Sequence, residues 1–281
     1  MKAEVKVSRV ALGDVEIHLN ESGDPQAPAV LFLHGSGPGA TGASNWEAIL
    51  SDMGDAYHCL APDVLGFGSS THPNPPPAGL GPFTQLRIDT IVALLEKLGI
   101  EKASVVGNSM GGIWSIGAAV QYPEVVDKLV LMGAGGAPAE FLGPSLPGLV
   151  NFYEDPSPAA MTKLLTEFLY EPAILGGRLE DIARDRLPQA VRPEVERSHR
   201  ATFDLSNPWQ ITEEQLAGIE HETLLVHGRE DTFVTLGGGL YYFERIPNAR
   251  LYGIGKCGHW TQIEHRERFV AVLRGFLEGR L

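Results

Sequence analysis

The chain has 281 residues, of which 43% are hydrophobic and 20% are charged, and its formal net charge is −13. This length and composition allow one sizeable buried core, in one or two domains. An acidic surface repels nucleic-acid phosphates and anionic lipid headgroups, so both are poor candidate partners. A small anionic molecule needs only local positive charge, and such a substrate stays compatible with the composition.

Targeting and metal-binding signals are missing from the sequence. The N-terminus is charged, and no apolar run approaches the roughly 20 residues of a membrane helix. Cys59 and Cys257 are the only cysteines, too few for a disulfide framework or a four-cysteine zinc site. None of the histidines lies in an H-x-x-x-H pattern. We therefore expect no metal and no cofactor, and a cytoplasmic location.

Short apolar runs alternate with helical stretches through the first half of the chain. Gln85–Leu98 has apolar residues at helical spacing and stops at Gly99. The continuously apolar runs, which are typical of buried strands, are Ala29–Leu33, Tyr57–Ala61, Ser104–Val106 and Lys128–Met132. This alternation predicts a mostly parallel sheet with helices on both faces.

The pattern changes at about residue 135. Up to about residue 209, Pro and Gly are frequent, and short helical pieces follow, of which Ala159–Tyr170 is the clearest. Strands return at Thr223–His227 and Arg250–Ile254, and a final amphipathic helix is predicted over Arg266–Leu277. We predict a core domain of residues 1–134 and 210–281 and a helical cap domain of residues 135–209 over the sheet.

Ser109 lies in a G-x-S-x-G motif, within Val105–Gly112 (VVGNSMGG), between a predicted strand and a predicted helix. This context is that of the nucleophile elbow, in which side chains at Gly107 and Gly111 would collide with nearby backbone. The helix N-terminus at this turn favours developing negative charge. A plain serine in a Gly-rich turn is the alternative, and the strand–turn–helix context favours a nucleophile.

A serine hydroxyl needs an adjacent base, and that base needs an orienting acid. In the α/β-hydrolase fold the chain order is serine, acid, histidine. Asp231 follows the strand Thr223–His227, and His259 follows the strand Arg250–Ile254. Both loops are expected at the carboxyl end of the sheet, where ligands bind. Asp231 and His259 complete a predicted triad, with Glu230 as the competing acid.

The strand Ala29–Leu33 runs directly into His34-Gly35-Ser36-Gly37. A His-Gly turn here matches the loop that supplies one backbone N–H of the oxyanion hole, the other coming from the residue after the nucleophile. We predict Met110 as one donor and Ser36 or Gly37 as the other, each typically worth about 3 kcal/mol. Together these features predict an α/β-hydrolase fold with a mostly parallel sheet, flanking helices and a helical cap.

Three stretches resemble the meta-cleavage product hydrolases, and the resemblance covers essentially the whole chain. They are His34–Trp46 (HGSGPGATGASNW), Gly107–Gly112 (GNSMGG) and Lys256–His265 (KCGHWTQIEH). Enzymes of this family hydrolyse a carbon–carbon bond in the diketones formed by ring fission of catechols. The last stretch is more similar to the subgroup acting on 2-hydroxymuconic semialdehyde and 6-alkyl analogues than to the aryl subgroup. The resemblance also implies a homodimer or a higher homo-oligomer.

The same resemblance implies which residues bind the anionic dienoate substrate. Asn45 and Asn108 would hydrogen-bond its 2-oxo and carboxylate end, and Trp260 would pack against the dienoate. Arg186 would pair with the carboxylate, for which a guanidinium gives bidentate contact. Arg184 and Arg192 lie nearby in the sequence, so which of these three arginines binds the carboxylate stays open. Pocket size at C6 would be set by cap residues, namely Leu142, Leu146, Phe152 and Phe168.

The reaction implied by the resemblance begins with ketonisation of the dienol. Ser109, deprotonated by His259, would attack the C6 carbonyl, and the C5–C6 bond would break to release 2-hydroxypenta-2,4-dienoate. Water activated by His259 would then hydrolyse the acyl-enzyme. A general carboxylesterase or perhydrolase with the same triad is the alternative, and a non-catalytic ligand-binding homologue is a remote one.

Overall fold

The computed structural model describes residues 2–281 and contains an eight-stranded sheet. Its strands are β1 (Lys6–Leu12), β2 (Val15–Ser22), β3 (Ala29–Leu33), β4 (His58–Pro62), β5 (Ala103–Asn108), β6 (Val126–Met132), β7 (Thr223–Gly228) and β8 (Ala249–Ile254). The spatial order is β1-β2-β4-β3-β5-β6-β7-β8. The β1–β2 and β2–β4 pairs are antiparallel, and all others are parallel. The predicted, mostly parallel sheet is confirmed.

All six predicted strands are present, with small shifts at their ends. The N-terminal hairpin of β1 and β2 was not predicted. Most residues of β1 are exposed, so this strand lacks the continuous apolar run by which buried strands are recognised. The hairpin extends the sheet beyond β4 and lies away from the loops that carry the predicted triad.

Helices cover both faces of the sheet, as predicted from the alternation. On one face α1 and α11 pack through Trp46 and Phe269, and on the other α2, α3 and α9 pack through Ile88, Trp114 and Tyr242. The helices are α1 (Gly42–Met53), α2 (Leu80–Lys97), α3 (Met110–Gln121), α4 (Leu146–Val150), α5 (Pro158–Glu167), α6 (Leu179–Ala190), α7 (Pro193–Thr202), α8 (Glu213–Ala217), α9 (Leu236–Arg245), α10 (Thr261–Glu264) and α11 (Arg266–Leu277).

Residues 135–209, which we call the helical segment, contain α4 to α7 and connect β6 to β7. Their apolar side chains form a separate buried cluster around Leu149, Leu165 and Phe168. This cluster also includes Phe233 and Trp260, which lie in the loops after β7 and β8. The helical segment therefore packs over the carboxyl ends of the parallel strands. Its status as a cap domain, with boundaries at 134/135 and 209/210, stays a prediction.

Three further observations concern membrane-spanning helices, metal ligands and the two cysteines. Within residues 2–281, no helix is both long enough and apolar enough to cross a bilayer. In the same range, no three His, Cys, Asp or Glu side chains are grouped as ligands for a metal ion. Cys59 and Cys257 are both free and buried.

Candidate active site

Ser109 occupies a sharp turn between the end of β5 and the start of α3. Its backbone φ is 55°, a conformation that costs a non-glycine residue energy and persists only where the surroundings enforce it. A Cβ at Gly107 would lie 2.4 Å from the Gly111 carbonyl oxygen, and a Cβ at Gly111 would lie 2.3 Å from that of Leu33. Only glycine fits at either position, which agrees with the motif.

The loops after β7 and β8 bring an acid and an imidazole together beside Gly133, directly after β6. Nδ1 of His259 lies 2.7 Å from Oδ2 of Asp231, and both side chains are buried. Oδ1 of Asp231 accepts hydrogen bonds from the backbone N–H groups of Phe233 and Val234. Burial by itself raises the pKa of Asp231, but the contact with His259 and the hydrogen bond from Val234 outweigh it and hold the pKa below its usual range. Asp231 is therefore ionised at neutral pH.

The neighbouring acidic and imidazole groups have other partners. Glu230 accepts a hydrogen bond from the Cys257 N–H and pairs with Arg229. His227 lies 3.6 Å from Asp231, but its Nε2 donates to the Val234 carbonyl, and burial lowers its pKa. His227 is therefore neutral and holds the acid loop in place. Of the two candidate acids, only Asp231 contacts the imidazole of His259.

Ser109 and His259 line a small pocket of about 10 Å³ beneath the helical segment, which we call the polar pocket. Its other lining residues are Gly35, Ser36, Gly37, Ala40, Asn45, Asn108, Leu149, Phe168, Arg186 and Trp260. All four predicted substrate-binding residues therefore reach the pocket that holds Ser109. The hydrogen bonds within residues 2–281 do not include one from Ser109 to His259. In unliganded enzymes this contact is often long and tightens once substrate is bound.

Arg186, on α6, is the arginine of the predicted three that lines this pocket. Its Nε donates to the Pro38 carbonyl at 2.7 Å, and a Cβ at Gly37 would lie 3.1 Å from its Nη2. Burial lowers the pKa of Arg186 to about 10, so the side chain still carries its charge at neutral pH. Arg184 is exposed and pairs with Asp181, while the partly exposed Arg192 pairs with Glu194 and donates to Gln189. Which of the three arginines binds a carboxylate stays a prediction.

Asn45 and Asn108 line the polar pocket, and both use Nδ2 in hydrogen bonds within the protein. Nδ2 of Asn45 donates to the Thr41 carbonyl and to the Ser44 hydroxyl. Nδ2 of Asn108 donates to the Met132 carbonyl, and its buried Oδ1 has no hydrogen-bond partner. The free group of Asn108 is therefore an acceptor, which suits a hydroxyl better than a carboxylate.

A second, larger cavity of about 370 Å³ lies on the other side of Ser109. Ser36 and Ser109 line both cavities, whereas Met110 lines only the larger one and Gly37 only the polar pocket. Ser109 thus lies at the junction of the polar pocket and this larger cavity.

Phe168 is the first residue of this site whose role the sequence did not indicate. Its ring stacks between Phe233 and Trp260, with ring centroids 4.2 and 4.3 Å away. Its carbonyl accepts hydrogen bonds from the backbone N–H groups of His259 and Trp260. The helical segment is thereby fixed both to the loop of the acid and to the loop of the histidine.

Glu264, on α10, is the second such residue, and it is buried. One carboxylate oxygen accepts from the N–H groups of Tyr170 and Glu171 in the helical segment. The other accepts from the N–H of Gly258, directly before His259, at 2.6 Å. Glu264 therefore joins the helical segment to the histidine loop through three backbone hydrogen bonds.

We expect Glu264→Gln to lower kcat about 10- to 100-fold with little change in substrate affinity. The NH₂ group of glutamine cannot accept a hydrogen bond. It would therefore leave either the Gly258 N–H or the N–H groups of Tyr170 and Glu171 without an acceptor. A buried donor without a partner costs about 1–3 kcal/mol. Steady-state kinetics of Glu264→Gln and of the matched control Glu267→Gln, an exposed position, test this. A lower melting temperature with unchanged kcat would mean that Glu264 only stabilises the fold.

Comparison with known proteins agrees with this architecture. A family model described as alpha/beta hydrolase fold matches residues 28–266. A 2-hydroxymuconate semialdehyde hydrolase from Pseudomonas sp. (strain CF600) is 35% identical over 88% of this chain and 86% of its own length. The 2-hydroxy-6-oxo-6-phenylhexa-2,4-dienoate hydrolase from Rhodococcus sp. strain RHA1 is 35% identical, with a TM-score of 0.93 over 98% of this chain and 99% of that one.

A serine hydrolase from the polyaromatic hydrocarbon-degrading bacterium Cycloclasticus zankles is 37% identical, with a TM-score of 0.94 over 98% of this chain and 99% of that one. The chain belongs to the α/β-hydrolase family and, within it, to the meta-cleavage product hydrolases.

Proposed function

We propose that this protein hydrolyses the C5–C6 bond of a 2-hydroxy-6-oxohexa-2,4-dienoate formed by ring fission of an aromatic compound. The products are 2-hydroxypenta-2,4-dienoate and a carboxylic acid. The observation that carries the proposal is the charged Arg186 in the polar pocket beside Ser109. A general carboxylesterase shares the predicted triad but has no use for a partly buried cation next to its nucleophile.

The side chains that line the polar pocket suit the dienoate end of this substrate, and they must separate to admit it because the pocket measures only about 10 Å³. Arg186 is free to pair with the carboxylate through the nitrogens that do not bind Pro38. The unpartnered Oδ1 of Asn108 is suited to accept from the 2-hydroxyl, and Asn45 lies across the same pocket. Trp260, whose ring centroid is 5.9 Å from the guanidinium carbon of Arg186, supplies a flat surface for the planar dienoate.

In this orientation the C6 carbonyl reaches Ser109 at the junction of the two cavities. We assign the oxyanion donors to the N–H groups of Met110 and Ser36. Ser36 lines both cavities beside Ser109, whereas Gly37 lies against Arg186, so Ser36 is better placed than Gly37. Preorganised donors of this kind stabilise the charge that develops on the carbonyl oxygen.

The proposed reaction proceeds through ketonisation of the dienol and an acyl-enzyme on Ser109. Ketonisation moves the hydroxyl proton of the dienol to C5. His259, held by Asp231, takes the proton of Ser109 as its oxygen bonds to C6. The C5–C6 electron pair departs into the conjugated system as a dienolate, which the imidazolium protonates. His259 then takes a proton from water, whose oxygen bonds to the acyl carbon. The bond from that carbon to the Ser109 oxygen breaks, and the imidazolium returns the proton to Ser109.

The proposal is tested by following the visible absorbance of purified ring-fission products. We expect the absorbance to disappear with release of the dienoate and the acid in equal amounts. Turnover of simple esters without cleavage of any ring-fission product would instead indicate a general carboxylesterase or perhydrolase.

We expect Arg186→Ala to lower kcat/KM for ring-fission products about 10- to 100-fold, mainly through KM, because a charge-assisted contact to the carboxylate is lost. Turnover of an uncharged ester should change little, which controls for the loss of the contact with Pro38. Arg192→Ala is the matched variant and should be nearly silent. If Arg186→Ala left kcat/KM unchanged while Arg192→Ala lowered it strongly, the carboxylate would bind elsewhere than at Arg186.

The remaining predictions concern the protein's context. The cytoplasmic location, the homodimer or higher homo-oligomer, and the cap function of residues 135–209 are part of the proposal. Two free, buried cysteines suit a reducing compartment.

A further inference from the structure

The larger cavity beside Ser109 has an unusually uniform lining. Apart from Ser36 and Ser109, its lining residues are apolar side chains and glycines, among them Ile113, Leu146 and Trp209. Within residues 2–281, no charged side chain lines it. Leu205, which is 66% exposed, lies at its outer end, so the cavity is open to solvent on that side.

The proposed chemistry fixes which part of the substrate enters this space. The carboxylate of the dienoate pairs with Arg186 at the polar pocket, which measures about 10 Å³ and must widen to admit it, and the C6 carbonyl lies at Ser109 between the donors of Ser36 and Met110. Because these three residues also line the larger cavity, the group attached to C6 points into it. This step rests on the proposed function.

The volume of the cavity indicates the size of that group. An apolar cavity of about 150 Å³ holds a benzene ring, and this one measures about 370 Å³. A hydrogen or a methyl group at C6 would leave almost all of it unfilled, and a phenyl ring less than half filled. Apolar burial grows with contact area, so a larger aromatic group gains more binding free energy here.

The lining also indicates the charge of the group. A carboxylate at the far end of the C6 substituent would be desolvated without a cation to pair with. Arg186 cannot serve both ends, since its guanidinium lies against Gly37 in the polar pocket.

We propose that the preferred substrate carries at C6 an uncharged aromatic group larger than a single phenyl ring. This differs from the hydrogen or alkyl preference that the resemblance of Lys256–His265 implied. That stretch lies in the loop after β8 and, through Trp260, lines the polar pocket, whereas the volume at C6 is set by other segments.

The test uses ring-fission products with hydrogen, methyl, phenyl, 2-naphthyl and 4-carboxyphenyl at C6. Dissociation constants are measured with Ser109→Ala, which removes differences in carbonyl reactivity, and kcat/KM is measured with the unmodified enzyme. We expect phenyl to bind about 10- to 100-fold more tightly than methyl, and 2-naphthyl to bind at least as tightly as phenyl. The 4-carboxyphenyl compound should bind at least about 10-fold more weakly than phenyl.

Two outcomes would overturn the inference: methyl or hydrogen binding as tightly as phenyl, or 2-naphthyl binding clearly more weakly than phenyl. If the unmodified enzyme cleaves none of the compounds, the proposed function itself is wrong. The two failures are therefore distinguishable.

A substitution that fills part of the larger cavity tests whether the C6 group binds there. Ile113→Phe narrows the cavity and should lower kcat/KM for the phenyl and 2-naphthyl compounds about 10-fold relative to the methyl compound. The matched control Ile174→Phe, at a half-exposed position outside both cavities, should leave the ratio unchanged. Should Ile113→Phe fail to fold, Ala139→Phe fills the same cavity from an exposed position. An unchanged phenyl-to-methyl ratio in the folded variant would place the C6 group elsewhere.

Discussion

Ser109→Ala is expected to lower kcat for cleavage of the ring-fission product by about 10⁴- to 10⁶-fold while substrate binding stays measurable. The serine oxygen is the only protein atom that the proposed mechanism bonds to C6, so its removal prevents formation of the acyl-enzyme. The polar pocket does not need the hydroxyl, because Arg186, Asn45 and Asn108 hold the dienoate end. Single-turnover spectroscopy, which follows binding and loss of the dienoate absorbance separately, is the measurement.

A serine-directed phosphonate gives a second readout of the same residue. The unmodified enzyme should be labelled at Ser109, whose φ of 55° presents the hydroxyl from a tight turn. Ser109→Ala should not be labelled, and Ser8→Ala, at an exposed position on β1, should behave as the unmodified enzyme does. An unmodified protein that resists labelling would indicate a non-catalytic ligand-binding homologue.

The sequence was most informative where function is encoded locally. The elbow around Ser109 needs glycine at two fixed positions, and that requirement is visible in six consecutive letters. The order of Ser109, Asp231 and His259, each directly after an apolar strand, predicted that they meet, because parallel strands end at the same edge of a sheet. The contact of 2.7 Å between Asp231 and His259 agrees with that expectation.

Contacts across the helical segment were beyond sequence reasoning. Glu264 lies within the recognised stretch Lys256–His265, yet one of its partners, Tyr170, is 94 residues away. Phe168 was considered only as a pocket residue, because nothing local indicates that it stacks between two loops. The C6 cavity is likewise a tertiary property, since its volume depends on how the helical segment sits on α3.

Asp231→Asn is expected to lower kcat about 10⁴-fold with little effect on folding. Oδ1 of Asp231 accepts hydrogen bonds from the N–H groups of Phe233 and Val234. The asparagine carbonyl must take that place, so its NH₂ group faces Nδ1 of His259. An NH₂ donor there requires Nδ1 to be unprotonated, which puts the imidazole proton on Nε2. The imidazole then has no free acceptor for the proton of Ser109.

Glu230→Gln is the matched control, since Glu230 is the adjacent carboxylate and binds Arg229 and the Cys257 N–H instead. We expect it to retain activity within a few-fold, and the melting temperatures of both variants verify that they are folded. Because the pKa of Asp231 is held below its usual range, the carboxylate is ionised at neutral pH. The loss in Asp231→Asn should therefore be seen across the neutral pH range. A larger loss in Glu230→Gln than in Asp231→Asn would transfer the orienting role to Glu230, even though only Asp231 contacts His259 in this structure.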